Sequence, residues 1–121
     1  MKALALSRLP WLTVSLCTLT VALQLLPSSL QAELYFNREL LDTGLQAVVQ
    51  LFSAHWIHAD WEHLGWNLAA LGLLGSMIER HSPHLLVCAV LLGTVSVNAL
   101  LLSPLASVDQ YCGLSGVLNT L

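Results

Sequence analysis

The sequence predicts an all-α protein, a multi-pass bundle of transmembrane helices, and three observations carry that prediction. Of its 121 residues 56% are hydrophobic and only 9% charged, with a mean hydropathy of +0.74, outside the usual mix of a water-soluble domain. The apolar residues gather in runs of about 18 to 20, the length that crosses a hydrocarbon core about 30 Å thick. Each run is closed by proline, serine or a charged cluster. Seven acidic residues against four basic ones leave a net charge of −3, so no basic patch is available to hold nucleic acid or anionic lipid by counterion release. The bilayer is an expected partner and nucleic acid is not. Cys17, Cys88 and Cys112 form no CxxC pair, and the first two lie in apolar runs where a thiol behaves as a small hydrophobe, so no disulfide framework is expected.

The first span is expected over residues 9–26, after Lys2 and Arg8 and before Pro27-Ser28-Ser29. A cleaved signal peptide ending near Ala32 is the rival reading, but Leu30 is bulky where cleavage needs a small residue. Residues 27–62 form an outer loop, the most polar part of the chain. Within it Leu41, Leu45, Val48, Val49 and Phe52 recur at helical spacing after Asp42 and Thr43, which predicts a short interfacial helix with one of those two as N-cap. The second span covers 63–79, its Gly65, Gly72 and Gly75 suited to close helix contact, and Glu79-Arg80-His81-Ser82-Pro83 ends it. The third covers 84–102 and pairs with the second as an antiparallel hairpin. A second outer loop, 104–112, leads to an apolar start at 113–121, only about 13 Å of helix at 1.5 Å per residue. That is too short to cross, so the chain is expected to be the N-terminal part of a longer protein, truncated within its fourth span. Lys2, Arg8 and Arg80 against the lone Arg38 of the long loop predict a cytoplasmic N-terminus, in a bacterial inner membrane. Trp56, Trp61 and Trp66 mark the outer boundary, where indoles favour the headgroup layer.

Tyr111-Cys112-Gly113-Leu114-Ser115-Gly116-Val117-Leu118 sets one serine between glycines at the outer start of an apolar helix. Gly113 permits a tight turn, Gly116 admits close contact with a neighbouring helix, and a helix start offers backbone N–H groups to a developing oxyanion. By itself the pattern also describes ordinary helix packing. His63 and Asn67, four residues apart, share one face at the outer end of the second span, level with Ser115. Polar groups at that depth are costly and become candidates for function. A metal site at His55, His58 and His63 is the competing reading. Their separations of three and five do not put all three on one helix face, there is no HExxH, and Asp60 and Glu62 lie in a loop, so neither a metal nor another cofactor is expected.

Taken together, His58-x4-His63-x3-Asn67 followed by Gly113-x-Ser115-Gly116 resembles the rhomboid family of intramembrane serine proteases, over nearly the whole chain. The resemblance implies that Ser115 is the nucleophile, that His63 and Asn67 stabilise the oxyanion, and that Glu79-Arg80 is a structural acid and base pair. The family's general base, a histidine on a sixth span, has no counterpart here, so the chain is expected to be inactive alone while its parent cleaves membrane-anchored proteins. The Ser115 segment is most similar to the rhombosortase branch, which implies substrates with Gly-Gly-containing C-terminal anchors. Asn119 and Thr120 depart from that branch, where histidine and glycine are expected. A non-catalytic relative that binds membrane clients is the alternative. A hairpin scaffold built on an inverted repeat finds no self-similarity between the spans.

Overall fold

The computed structural model describes residues 9–121; Lys2 and Arg8, on which the orientation argument leans, lie outside them. Helix α1 runs Trp11–Gln24, α2 Ser28–Leu34 and α3 Leu45–Ser53. Helix α4, Trp61–Ala70, continues through a π-helical turn, Leu71–Gly75, into α5, Ser76–His81. Helix α6 spans Pro83–Leu102, and α7, Ser115–Leu118, carries the candidate nucleophile. Two short strands, β1 at Phe36–Asn37 and β2 at Gln110–Tyr111, pair antiparallel with Phe36 opposite Tyr111.

Local chemistry accounts for most boundaries. Asp60 caps α4 by accepting the His63 N–H at 2.7 Å, and Glu62 in the first turn faces the positive end of the helix dipole. The helix therefore starts two residues before the expected span. Ser82 is extended, and Pro83 opens α6 at the position where its missing N–H costs nothing. Neither Asp42 nor Thr43 caps α3, contrary to expectation. Its N-cap is Gly44, held at φ 66°, a left-handed conformation that glycine adopts freely, while the Thr43 hydroxyl donates to the Leu40 carbonyl instead.

Of the three expected spans, α6 alone is a single helix long and apolar enough to cross a membrane, with most of its surface uncovered. Helix α1 is 14 residues long, shorter than the run that predicted it, because the chain turns before Pro27. The second run is helical throughout but holds the π turn. Of its three glycines only Gly75 makes a close contact: a Cβ there would lie 3.1 Å from the Thr13 side chain, whereas Gly65 and Gly72 face open space.

Large apolar side chains cover much of the surface, and polar ones share the interior with the apolar core. Trp11, Leu19, Trp66, Leu73, Leu91 and Val95 are exposed, while Thr13, Thr20, Gln50, His55, His58 and Asn67 are buried. Such a surface suits hydrocarbon, and the polar groups it encloses must then be satisfied within the protein. Glu79 does this for α1. Its carboxylate accepts from Leu12 N at 2.8 Å, Thr13 N at 2.7 Å and the Thr13 hydroxyl at 2.7 Å, satisfying N–H groups that the first helical turn leaves orphaned. Arg80, its expected partner, is exposed.

The two loops, 27–62 and 104–112, are stitched together. Beyond the β1–β2 pair, Arg38 donates its backbone N–H to Asp109 O at 2.8 Å, Nε to Val108 O at 3.0 Å and Nη2 to Leu101 O at 2.6 Å. Phe36, Ala54 and Leu101 form a small core beneath this junction, and Leu71, Leu114 and Val117 form a second beneath α7.

Replacing Glu79 with Ala removes all three bonds to α1. A loss of about 1–2 kcal/mol is expected, in the range of a lost helix cap, and detergent-micelle unfolding of the wild-type and E79A proteins measures it. An unchanged midpoint would mean that α1 is held by packing alone.

Candidate functional site

Ser115 is the first residue of α7, and the non-helical residues before it are tied down one by one. Gly113 sits at φ 112°, its N–H donates to Ala54 O at 2.8 Å and its carbonyl accepts from the Tyr111 hydroxyl at 3.0 Å. Leu114 N donates to His58 Nε2 at 3.3 Å. The loop 54–58 thus supplies a carbonyl and an imidazole to two successive amides of the segment leading into Ser115.

Two glycines are required by space as well as by backbone shape. A Cβ on Gly113 would lie 2.6 Å from His63 Cε1 and 3.0 Å from Nε2, so the His63 ring rests directly on this residue. A Cβ on Gly116 would lie 2.7 Å from the Tyr111 hydroxyl and 2.8 Å from a Val97 methyl. His58 and His63 meet edge to face with ring centres 5.1 Å apart. On the other side of the segment, His55 Nε2 is paired with Asn98 Oδ1 at 2.9 Å, and its ring meets Tyr111 edge to face at 5.6 Å.

Burial sets the electrostatics. Desolvation, reinforced by the charge of His63, lowers the His58 pKa to about 4, so at neutral pH the ring is uncharged. His55 is lowered as well, chiefly by burial. Burial and then the Asp60 carboxylate push the Cys112 thiol up, leaving it protonated and a poor nucleophile.

His63 is thus brought against Gly113, two residues before Ser115, and Asn67 follows one turn later on α4. Asn67 is only 6% exposed and its Nδ2 has no partner among the described residues: a buried amide donor left uncommitted. Ser115 is exposed and lines a cavity of about 350 Å³ with Val97, Leu101, Val108, Tyr111 and Asn119. No hydrogen bond joins its hydroxyl to His63 or Asn67. The Gly113 and Leu114 amides are used before α7 begins at Ser115. Sequence reasoning also missed the parts played by His58, Tyr111 and Ala54. His58 and Tyr111 stand inside the motifs it singled out, but nothing in their spacing says which backbone group each one meets, and Ala54 acts through its carbonyl, which leaves no trace in the sequence.

A family model described as Rhomboid domain matches residues 45–121. No curated protein and no solved structure matches the chain.

Two outcomes are expected from this geometry. Gly113→Ala forces a side chain into the left-handed region and into the His63 ring; a loss of about 1–3 kcal/mol follows from the backbone alone, measurable as a lowered unfolding midpoint. The pH dependence follows from His58. Its folded pKa of about 4 lies below the unfolded value of about 6.5, so between those values the unfolded chain binds more protons. Stability is then full above about pH 6.5 and falls as pH drops toward 4. Denaturation midpoints at pH 7 and pH 4.5 test this, with His58→Gln expected to flatten the slope.

Proposed function

The chain belongs to the rhomboid family, and from that premise we propose that it carries the nucleophile and oxyanion machinery of an intramembrane serine endopeptidase. In this reading Ser115 attacks the scissile carbonyl of a membrane-anchored protein, and His63 and Asn67 donate to the oxyanion that develops. The observation that carries it is the seating of His63 on Gly113, with the buried, unpartnered Asn67 amide one helical turn away. A preorganised donor of this kind needs no reorganisation when charge appears.

Helices α1, α4–α5 and α6 are read as crossing the bilayer, α1 with a span of only about 21 Å at 1.5 Å per residue, and the outer loops as lying on the periplasmic side of a bacterial inner membrane. No histidine here hydrogen-bonds Ser115 among the described residues. The family resemblance assigns the base to a histidine on a sixth span, and on this reading the chain alone is inactive. Tyr111-x-Gly113-Leu114-Ser115-Gly116-Val117-Leu118 supports the rhombosortase branch and substrates with Gly-Gly-containing C-terminal anchors. Against that branch stands Thr120, whose hydroxyl donates to Ala89 O at 2.8 Å and packs α7 on α6. The alternative, a non-catalytic binder of membrane clients, is favoured by the unpartnered Ser115 hydroxyl beside an apolar cavity.

The test is proteolysis in liposomes by the protein expressed from its whole reading frame, on a substrate with a Gly-Gly-containing C-terminal membrane anchor. Cleavage is expected, lost in Ser115→Ala by at least about 10³-fold and reduced about 10²-fold in His63→Ala or Asn67→Ala. Substrate retained but uncleaved by wild type and Ser115→Ala alike would establish the binder instead.

A further inference from the structure

One buried titratable side chain has the nucleophile segment itself as its partner. His58 is fully buried, and its Nε2 lies 3.3 Å from Leu114 N. A backbone N–H can only donate, so Nε2 must be the lone-pair nitrogen, which makes the ring neutral with its proton on Nδ1. The preceding residue is already fixed at both ends, with the Gly113 N–H on Ala54 O and its carbonyl on the Tyr111 hydroxyl. At the next residue the Leu114 side chain is buried against Leu71 and Val117 and its carbonyl accepts from Leu118 N at 2.9 Å, and the bond to His58 restrains the remaining polar group, the N–H, at the turn into Ser115.

We infer that, on the peptidase reading above, neutral His58 is a positioning residue for Ser115: it holds the Leu114 N–H and so sets the backbone that aims the nucleophile. Protonation makes both ring nitrogens donors, destroys the acceptor and releases the segment. The ionisable groups around the ring are His63 on α4, edge to face at 5.1 Å; Asp60, the α4 cap; Tyr35, whose hydroxyl donates to the His58 carbonyl at 3.3 Å; and Cys112, next to Gly113 on the segment itself. Asp60 favours the imidazolium, while burial and His63 oppose it and prevail, keeping the acceptor intact down to about pH 4.

The first arm of the test is structural and needs no turnover. In the ¹⁵N-labelled 121-residue chain in micelles, at pH 7, the His58 ring is expected as the Nδ1–H tautomer with a scalar coupling across the hydrogen bond from Leu114 N to Nε2, lost on acidification through pH 4. The second arm is kinetic, in the active protein. His58→Phe is expected to lower kcat about 10²-fold, the cost of a small misplacement of a reacting group, with KM changed less than about twofold. His58→Gln, whose amide oxygen accepts the same N–H and does not titrate, is expected to restore most of kcat and to remove the additional inflection near pH 4 from the kcat profile, leaving the acid limb of the general base. A proton on Nε2 at pH 7, an absent coupling, or equal losses in the Phe and Gln variants overturns the inference while leaving Ser115 as nucleophile. If Ser115→Ala cleaves as fast as wild type, the peptidase reading fails and takes the catalytic consequence of His58 with it, even where the coupling is intact.

Discussion

The structure depends on one constraint: backbone that leaves a helix and is buried must find its hydrogen bonds inside the protein. The chain leaves helix at the end of α6 and re-enters it at Ser115; Ser103, Leu105 and Ala106 are paired locally, and from Val108 onward most of the paired backbone groups meet the long loop that precedes α4. Arg38 alone reaches Leu101, Val108 and Asp109. The β1–β2 pair takes Tyr111 and Gln110, Ala54 takes Gly113 and His58 takes Leu114. The loop is held in turn by Gln50, whose buried amide accepts from Asn37 N at 3.2 Å and donates to Glu33 O at 3.0 Å.

The same constraint explains why so many polar side chains lie inside a chain this hydrophobic. Thr13 is bonded to Glu79 and Thr94 to the carbonyl one turn back. Among the described residues Gln24 Oε1, the Nδ1 atoms of His55 and His58, and Asn67 Nδ2 are buried without a partner, and Asn67 is the one of these that is an uncommitted amide donor. An unmade hydrogen bond in a buried site costs about 1–3 kcal/mol. On the peptidase reading proposed above, that donor gains its partner only when the oxyanion forms, which is differential binding of the transition state.

Glycine, histidine and tyrosine around Ser115 operate as one packed unit. His63 can rest on residue 113 only because that residue has no side chain and sits at positive φ. Tyr111 can bond the Gly113 carbonyl and still lie against residue 116 only because 116 is also glycine. His55, paired with Asn98 and set edge-on to Tyr111, holds that phenol from behind. Each contact limits the freedom of the next, so the backbone leading into Ser115 is set by several weak restraints rather than one strong one.

Hydropathy by itself determined the solvent, the helical class and the places of the main apolar helices, because these follow from composition and from patterns repeating over a few residues. It also brought out Ser115, His63 and Asn67, since polar residues stand out against apolar sequence. What it misjudged was local but not periodic: the length of α1, the Gly44 cap in place of Asp42 or Thr43, the open surroundings of Gly65 and Gly72. The tertiary structure decided which group meets which. Glu79 accepts from a helix amide 67 residues earlier in the chain, and His58 accepts from an amide 56 residues later. Pairings of this kind are invisible to sequence patterning because one partner is backbone, chemically the same at every position, and only the folded path of the chain selects it.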